Sequence, residues 1–173
     1  MNRKKALIVV DMQVDFIEGS LGSEQAKKIV PNVVKYIEDF DGLVFATMDT
    51  HGEDYMKTVE GKHLPVPHCI LGSNGWNIDR NVTQALKKKQ VLHIYNKDTF
   101  GCVKLFEEIP KDVEEIYIVG LCTDICCTAN AILAKTFFKD AEVYVVKDCC
   151  AGVTPETHEA ALSTMKMCHV NII

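Results

Sequence analysis

An aspartate, a lysine and a cysteine each stand just past a short apolar run. Asp11 follows Leu7, Ile8, Val9 and Val10, and Lys97 follows His93, Ile94, Tyr95 and Asn96. Cys126 lies in Gly-Leu-Cys-Thr-Asp-Ile-Cys-Cys at 120–127, after Ile116, Tyr117, Ile118 and Val119. Together the three groups suit covalent catalysis. A lysine cation lowers a thiol pKa and offsets the aspartate charge. The carboxylate can take the thiol proton and return it to a leaving group. Thr123 and Asp124 are good N-cap residues, so a helix is predicted to start there. Cys126 would then sit in the first turn, where the helix dipole and free N–H groups stabilise a thiolate. Each residue has a plainer alternative: a turn aspartate, an exposed loop lysine, a buried structural cysteine. Segment 120–127 alone leaves nucleophile and structural thiol level; three groups at matching strand ends favour the nucleophile.

A second constellation lies between 49 and 76, a stretch with little periodicity that holds three of the six histidines. Long loops inside compact domains are usually functional, and this one is read as a wall of the site. Asp49 and His51 flank Thr50, and His68 follows in Pro-Val-Pro-His-Cys. Two histidines and a carboxylate with open positions suit zinc or another divalent transition metal. Glu60 and His63 are additional candidate ligands. Solvent-facing histidines beside a turn-capping Asp49 are the alternative that spacing leaves open.

The elements that must position these residues alternate. Strands are predicted at Ala6–Val10, Leu43–Thr47, Val91–Tyr95, Ile116–Val119, Val143–Val146 and Val170–Ile173. Helices are predicted at Gln25–Phe40, Ile78–Lys89, Val103–Glu108, Ile125–Phe138 and Pro155–Met167, the last capped by Thr154. The run Asp148-Cys149-Cys150-Ala151-Gly152 reads as a turn before that last helix. Short links between alternating strands and helices imply a three-layer α/β/α fold with a mostly parallel, six-stranded, Rossmann-type sheet. Ligands in such sheets gather at the carboxyl ends of the strands.

The chain of 173 residues is long enough for a single domain over 1–173 with a full core. It is 47% hydrophobic and 25% charged, as ordinary globular proteins are. A net charge of −5 argues against nucleic acid or an anionic membrane as partner. Lys87, Lys88 and Lys89 read as the solvated end of a helix. No apolar run approaches the ~18 residues of a membrane span, and the few apolar residues before Asp11 are too short for a signal peptide. A cytoplasmic location is therefore expected. The eight cysteines lack zinc-ribbon spacing and include the adjacent pairs Cys126–Cys127 and Cys149–Cys150, so most should be free thiols. The chain has no GxGxxG, P-loop or GxSxG motif.

With these residues placed, the sequence resembles the isochorismatase-like cysteine hydrolases, and within them the nicotinamidase branch. The likeness spans nearly the whole chain. It is carried by Ala-Leu-Ile-Val-Val-Asp-Met-Gln-Val-Asp-Phe at 6–16, Asp-Thr-His at 49–51, Pro-His-Cys at 67–69, Asn-Lys-Asp-Thr-Phe at 96–100 and Gly-Leu-Cys-Thr-Asp-Ile-Cys at 120–126. The resemblance implies a triad of Asp11, Lys97 and Cys126. It implies a cis peptide before Cys122, which directs the backbone N–H groups of Cys122 and Cys126 into an oxyanion hole. It implies a divalent metal, zinc first, on Asp49, His51 and His68, with Glu60 the first choice for a further ligand and His63 the second. It implies substrate contacts at Phe16, Leu64 and Leu121. Two features depart from the branch. Leu64, Pro65 and Val66 stand where many nicotinamidases have a tryptophan against the substrate, and Cys122 stands where alanine or another small residue is common. Trp76 is an aromatic that could come from elsewhere. The implied activity is hydrolysis of a small carboxamide, nicotinamide first, through a Cys126 thioester, in a homo-oligomer. Another amide, a carbamoyl compound or a vinyl ether would suit the same fold, and a metal-binding or redox-responsive module is the non-enzymatic reading.

Overall fold

The computed structural model describes residues 4–91 and 93–173. Its six strands are β1 (Lys5–Val10), β2 (Leu43–Asp49), β3 (Ile94–Lys97), β4 (Glu115–Leu121), β5 (Glu142–Ala151) and β6 (Asn171–Ile172). They form one sheet in the order β3-β2-β1-β4-β5-β6, and every pairing is parallel. The helices are α1 (Val14–Ile17), α2 (Glu24–Asp39), α3 (Val59–His63), α4 (Arg80–Lys88), α5 (Val103–Glu108), α6 (Thr128–Phe137) and α7 (Pro155–Met167).

The three layers follow from the alternation of side chains along a strand. On β1, Ala6, Ile8 and Val10 pack with Leu105 of α5, Ala131 and Ala134 of α6, and Leu162 and Met165 of α7. Leu7 and Val9 point the other way, onto Ile29, Val33 and Ile37 of α2 and Val82 and Leu86 of α4. A strand covered on both faces is apolar throughout, as these runs are. Helix starts are fixed locally. Ser23 accepts from the Ala26 N–H, Asp79 from those of Asn81 and Val82, and Thr154 and Thr157 form a reciprocal capping box. Lys87 and Lys88 close α4 in its last turn.

Several expected boundaries move. The strand predicted at Val91–Tyr95 is observed at Ile94–Lys97, because β3 pairs onward to the register partners Asp49 and Lys97; Leu92 of the predicted range lies outside the described residues. The fifth strand does not stop at Val146. Pairing shifts register between Ile118 and Gly120 and resumes at Gly120 with Cys150 and Leu121 with Ala151. The run read as a turn at 148–152 is therefore mostly strand. Within the loop from 49 to 76, a short 3-10 turn at Tyr55–Lys57 and α3 add structure that periodicity did not announce. Among the described residues no helix is long and apolar enough to cross a membrane.

Strand order reverses direction at β1, with β2 on one side and β4 on the other. The crevice at the carboxyl ends of β1 and β4 is thus the topological switch point, where open α/β sheets bind ligands.

Candidate active site

Asp11, Lys97 and Cys126 meet at that crevice. Lys97 Nζ lies 2.7 Å from Asp11 Oδ2, 3.3 Å from Asp49 Oδ1 and 3.6 Å from Cys126 Sγ. All four residues are buried. β3 is separated from β1 by β2, so the long lysine side chain spans a strand to reach Asp11. Asp11 adopts a left-handed backbone with φ +46, which a non-glycine residue takes only when its surroundings enforce it. Here the Asp11 N–H donates to Thr47 O at 3.2 Å, and the Thr47 hydroxyl donates to Asp11 Oδ1 at 2.7 Å. Asp11 Oδ2 pairs with Lys97 without an aligned hydrogen bond, and so keeps acceptor capacity.

The electrostatics correct one expectation. Burial pushes the Cys126 thiol pKa well up, the Asp11 carboxylate adds to that, and Lys97 only partly offsets them. The shift runs opposite to the lowering expected from the helix dipole and the lysine. Burial likewise raises Asp11, against the pull of Lys97. Burial disfavours the lysine ammonium, but the Asp11 and Asp49 carboxylates hold it protonated above its ordinary value.

The turn carrying Cys126 also differs from the expected helix start. Thr123–Cys127 is a single π turn, and α6 begins only at Thr128. The N–H of Cys127 donates to Cys122 O at 3.0 Å, and the Thr128 hydroxyl donates to Thr123 O at 2.7 Å. Thr123 and Asp124 do not cap. Thr123 Oγ1 shares a 2.8 Å hydrogen bond with His158 Nδ1, and the Asp124 carboxylate accepts the Val153 N–H. These bonds tie the turn to the loop before α7. The Leu121–Cys122 peptide is cis. Gly120 precedes it with φ +122, and a Cβ there would sit 2.0 Å from Val10 O. Only glycine lets β4 pass β1 so closely.

Sequence reasoning missed the residues that hold this machinery. Asn130 is fully buried on α6. Its Oδ1 accepts the Cys102 N–H at 3.0 Å, and its amide donates to Cys126 O at 2.8 Å and Phe100 O at 3.3 Å. Gln13, also fully buried, donates to Asp49 O and Trp76 O at 2.8 Å and accepts the Asp49 N–H at 2.7 Å. A polar residue inside an apolar helix pattern, and an amide just past a buried strand, were the signals available for both.

Beside the triad, Asp49, His51, Glu60 and His68 each offer a ligand atom, and all four atoms lie within 4.8 Å of one another. Asp49 Oδ2 is 2.8 Å from His51 Nε2 and 3.4 Å from His68 Nε2. Glu60 Oε1 is 3.8 and 3.7 Å from the same two nitrogens. His68 Nδ1 lies 2.8 Å from Val66 O. A carbonyl only accepts, so Nδ1 carries a proton and Nε2 is the ring nitrogen aimed at the cluster. Burial opposes the Asp49 carboxylate, but bonds from His51 and His68 and the Lys97 charge bring its pKa below the ordinary range. Burial and Asp49 raise Glu60. The donor set therefore fits a divalent transition metal in kind and in spacing. Tyr55, also missed, wedges both imidazoles at ring distances of 4.8 and 5.0 Å and donates its hydroxyl to Leu64 O. His63 stands outside the four-donor group.

One cavity of about 920 Å³ joins the two constellations. Cys126, Cys122, Asp49, Glu60 and His68 line it, as do Phe16, Leu64 and Leu121. Phe16 faces His68 at 5.5 Å between ring centroids. Trp76 does not line it; its indole N–H donates to Thr50 Oγ1 instead.

The isochorismatase domain family matches residues 5–173. Among curated proteins, a nicotinamidase/pyrazinamidase of Mycobacterium tuberculosis is 26% identical, with 98% of each chain aligned. Among solved structures, a nicotinamidase of Bacillus subtilis superposes with a TM-score of 0.82 at 27% identity, covering 98% of each chain. A pyrazinamidase of Pyrococcus horikoshii, solved in complex with zinc, does so with a TM-score of 0.76 at 28% identity and 98% coverage of each.

Proposed function

The chain belongs to the isochorismatase domain family, and on that footing we propose that it is a cysteine amidohydrolase that converts nicotinamide to nicotinate and ammonia. The observation that carries the reading is the contact chain from Asp11 through Lys97 to Cys126, opening into the cavity that also holds the four-donor cluster. The relatives named above as nicotinamidases support the substrate.

Asp11 takes the Cys126 thiol proton as Sγ attacks the carboxamide carbon. The C–N double-bond character is lost, and the oxyanion that forms accepts from the backbone N–H groups of Cys122 and Cys126. One such donor is typically worth roughly 3–4 kcal/mol. Asp11 then gives its proton to the departing nitrogen, the C–N bond breaks, and ammonia leaves a thioester on Cys126. Asp11, again a carboxylate, takes a proton from water as the water attacks the thioester. The C–S bond breaks, the acid leaves, and the proton returns to Sγ. Lys97 keeps its charge throughout, holding Asp11 and the developing thiolate in one ion-pair arrangement. Asp49, His51, Glu60 and His68 would hold a divalent ion, zinc first, which when bound supplies a Lewis-acid contact for a ring nitrogen and so orients the ring. Phe16, Leu121 and Leu64 pack against the ring. The same reading takes residues 1–173 as one domain working as a cytoplasmic homo-oligomer; the eight free thiols suit a reducing compartment.

Ammonia release from nicotinamide and pyrazinamide tests the reading. Cys126→Ala should lower turnover by at least a thousandfold with bound metal retained. Full amidase activity in that variant, or none in the parent protein, would refute it.

A further inference from the structure

The cavity is larger than its proposed substrate. A volume of about 920 Å³ lies near the top of the ~300–1,000 Å³ that enclose drug-sized ligands. Nicotinamide is one ring with one carboxamide. In the reading above it is pinned at both ends, by Cys126 and by the four-donor cluster. Polar lining comes from Asp49, Glu60 and His68 of that cluster and from Ser23, His63, Asp98 and Thr99 outside it. The rest is largely apolar. Leu21 comes from the turn before α2, Ala26 from the first turn of α2, Ile125 from the π turn, and Phe100 and Val153 from the loops after β3 and β5.

The mouth of the cavity also gathers side chains that water should disfavour. Val59, Phe100 and Val153 are 71%, 49% and 59% exposed, yet all border this one opening. Scattered apolar residues need no explanation, but a contiguous group lining a groove marks a binding surface. This group is continuous with the proposed nucleophile, so a ligand held at Cys126 would be the one to cover it. A bare pyridine ring would leave the apolar walls wet. A ring bearing an alkyl or aryl group would cover them, with no charge required of the substituent.

We propose that the cavity contains an apolar subsite beyond the ring position, walled by Leu21, Ala26, Phe100, Ile125 and Val153, and that the chain prefers ring-alkylated or ring-arylated aromatic carboxamides to the bare ring. This rests on the amidase reading above. The test is ammonia release from nicotinamide and from a panel carrying propyl or phenyl at each free ring carbon. It is paired with calorimetric binding of the same amides to Cys126→Ala. At least one substituted amide should exceed nicotinamide tenfold in kcat/KM and bind tenfold tighter, a difference of about 1.4 kcal/mol. Val153→Trp, which fills the mouth, should erase that preference. If nicotinamide is hydrolysed and every substituted amide is slower and weaker, the subsite is wrong and the amidase reading stands. If no amide releases ammonia, the amidase reading falls and takes the subsite with it. If Val153→Trp changes the oligomeric state and not the preference, the mouth is a contact between copies and the proposal is overturned.

Discussion

Asn130 offers the sharpest test of how the proposed nucleophile is held. Asn130→Ala removes three hydrogen bonds from a fully buried side chain. The Cys102 N–H loses its acceptor in a residue only 3% exposed. An orphaned buried donor costs about 1–3 kcal/mol. The carbonyl of Cys126 loses a donor worth about 1 kcal/mol. The Phe100 carbonyl, at 3.3 Å in a half-exposed loop, loses less. The sum is a destabilisation of about 3 kcal/mol. With an m-value of about 2 kcal/mol/M, the urea midpoint should fall by about 1.5 M. The amide also ties the backbone of Cys126 to the loop after β3, so kcat should fall at least tenfold while the folded fraction stays high in buffer. Asn130→Asp separates geometry from charge. It keeps the acceptor for Cys102, but it points a carboxylate at two carbonyl oxygens, so its folded pKa lies above its unfolded one. Between those pKa values the folded state binds the extra proton, so stability falls as pH rises through the window. The variant should therefore be most stable in mild acid and lose stability toward neutral pH. A midpoint for Asn130→Ala within 0.5 M of the parent in urea, with kcat unchanged, would refute the argument.

Two further outcomes follow from the packing. Gly120→Ala brings a Cβ to 2.0 Å from Val10 O at φ +122, and should cost more than about 4 kcal/mol, a loss of the size tied to backbone strain and overpacking; a native-like thermal transition by circular dichroism would show that β4 can move away. Tyr55→Ala removes the ring packed against both His51 and His68 and should weaken metal retention about tenfold to a hundredfold, as loss of an orienting neighbour does; metal analysis after graded chelation reads this, and parent-like retention would deny Tyr55 that role.

Much of the site could be read from the chain because polar residues at the ends of buried runs are costly unless used. Asp11, Asp49 and Lys97 stood out for that reason, and the parallel sheet brings them together. The donor set was open only to spacing and resemblance, since His68 reaches Asp49 through a loop with no periodicity. Thr47, Gln13, Tyr55 and Asn130 were not singled out. Each acts through a partner distant in sequence, such as Thr47 to Asp11 and Gln13 to Trp76, and pattern alone does not rank such pairs. The π turn was misread for a related reason. Thr123 and Asp124 have the chemistry of caps, but α7 and its preceding loop compete for their side chains and win. The subdivision of β5 failed because a register shift, invisible in hydropathy, prolongs the strand to Ala151.

A raised thiol pKa at Cys126 is compatible with the proposed mechanism. Asp11 and Asp49 stand as two buried carboxylates beside the Lys97 ammonium. Ionising Cys126 to solvent would add a negative charge to a low-dielectric site, which burial and both carboxylates oppose. Moving the proton from Cys126 to Asp11 leaves the total charge unchanged. Asp11 becomes neutral, Sγ becomes negative, and Lys97 stands within reach of both. The same burial that suppresses a free thiolate also raises Asp11, making it a stronger base for that transfer. Charge is thus redistributed inside the cluster only when the sulfur acts, and the proton that leaves Cys126 is already on the group that must deliver it to the departing nitrogen.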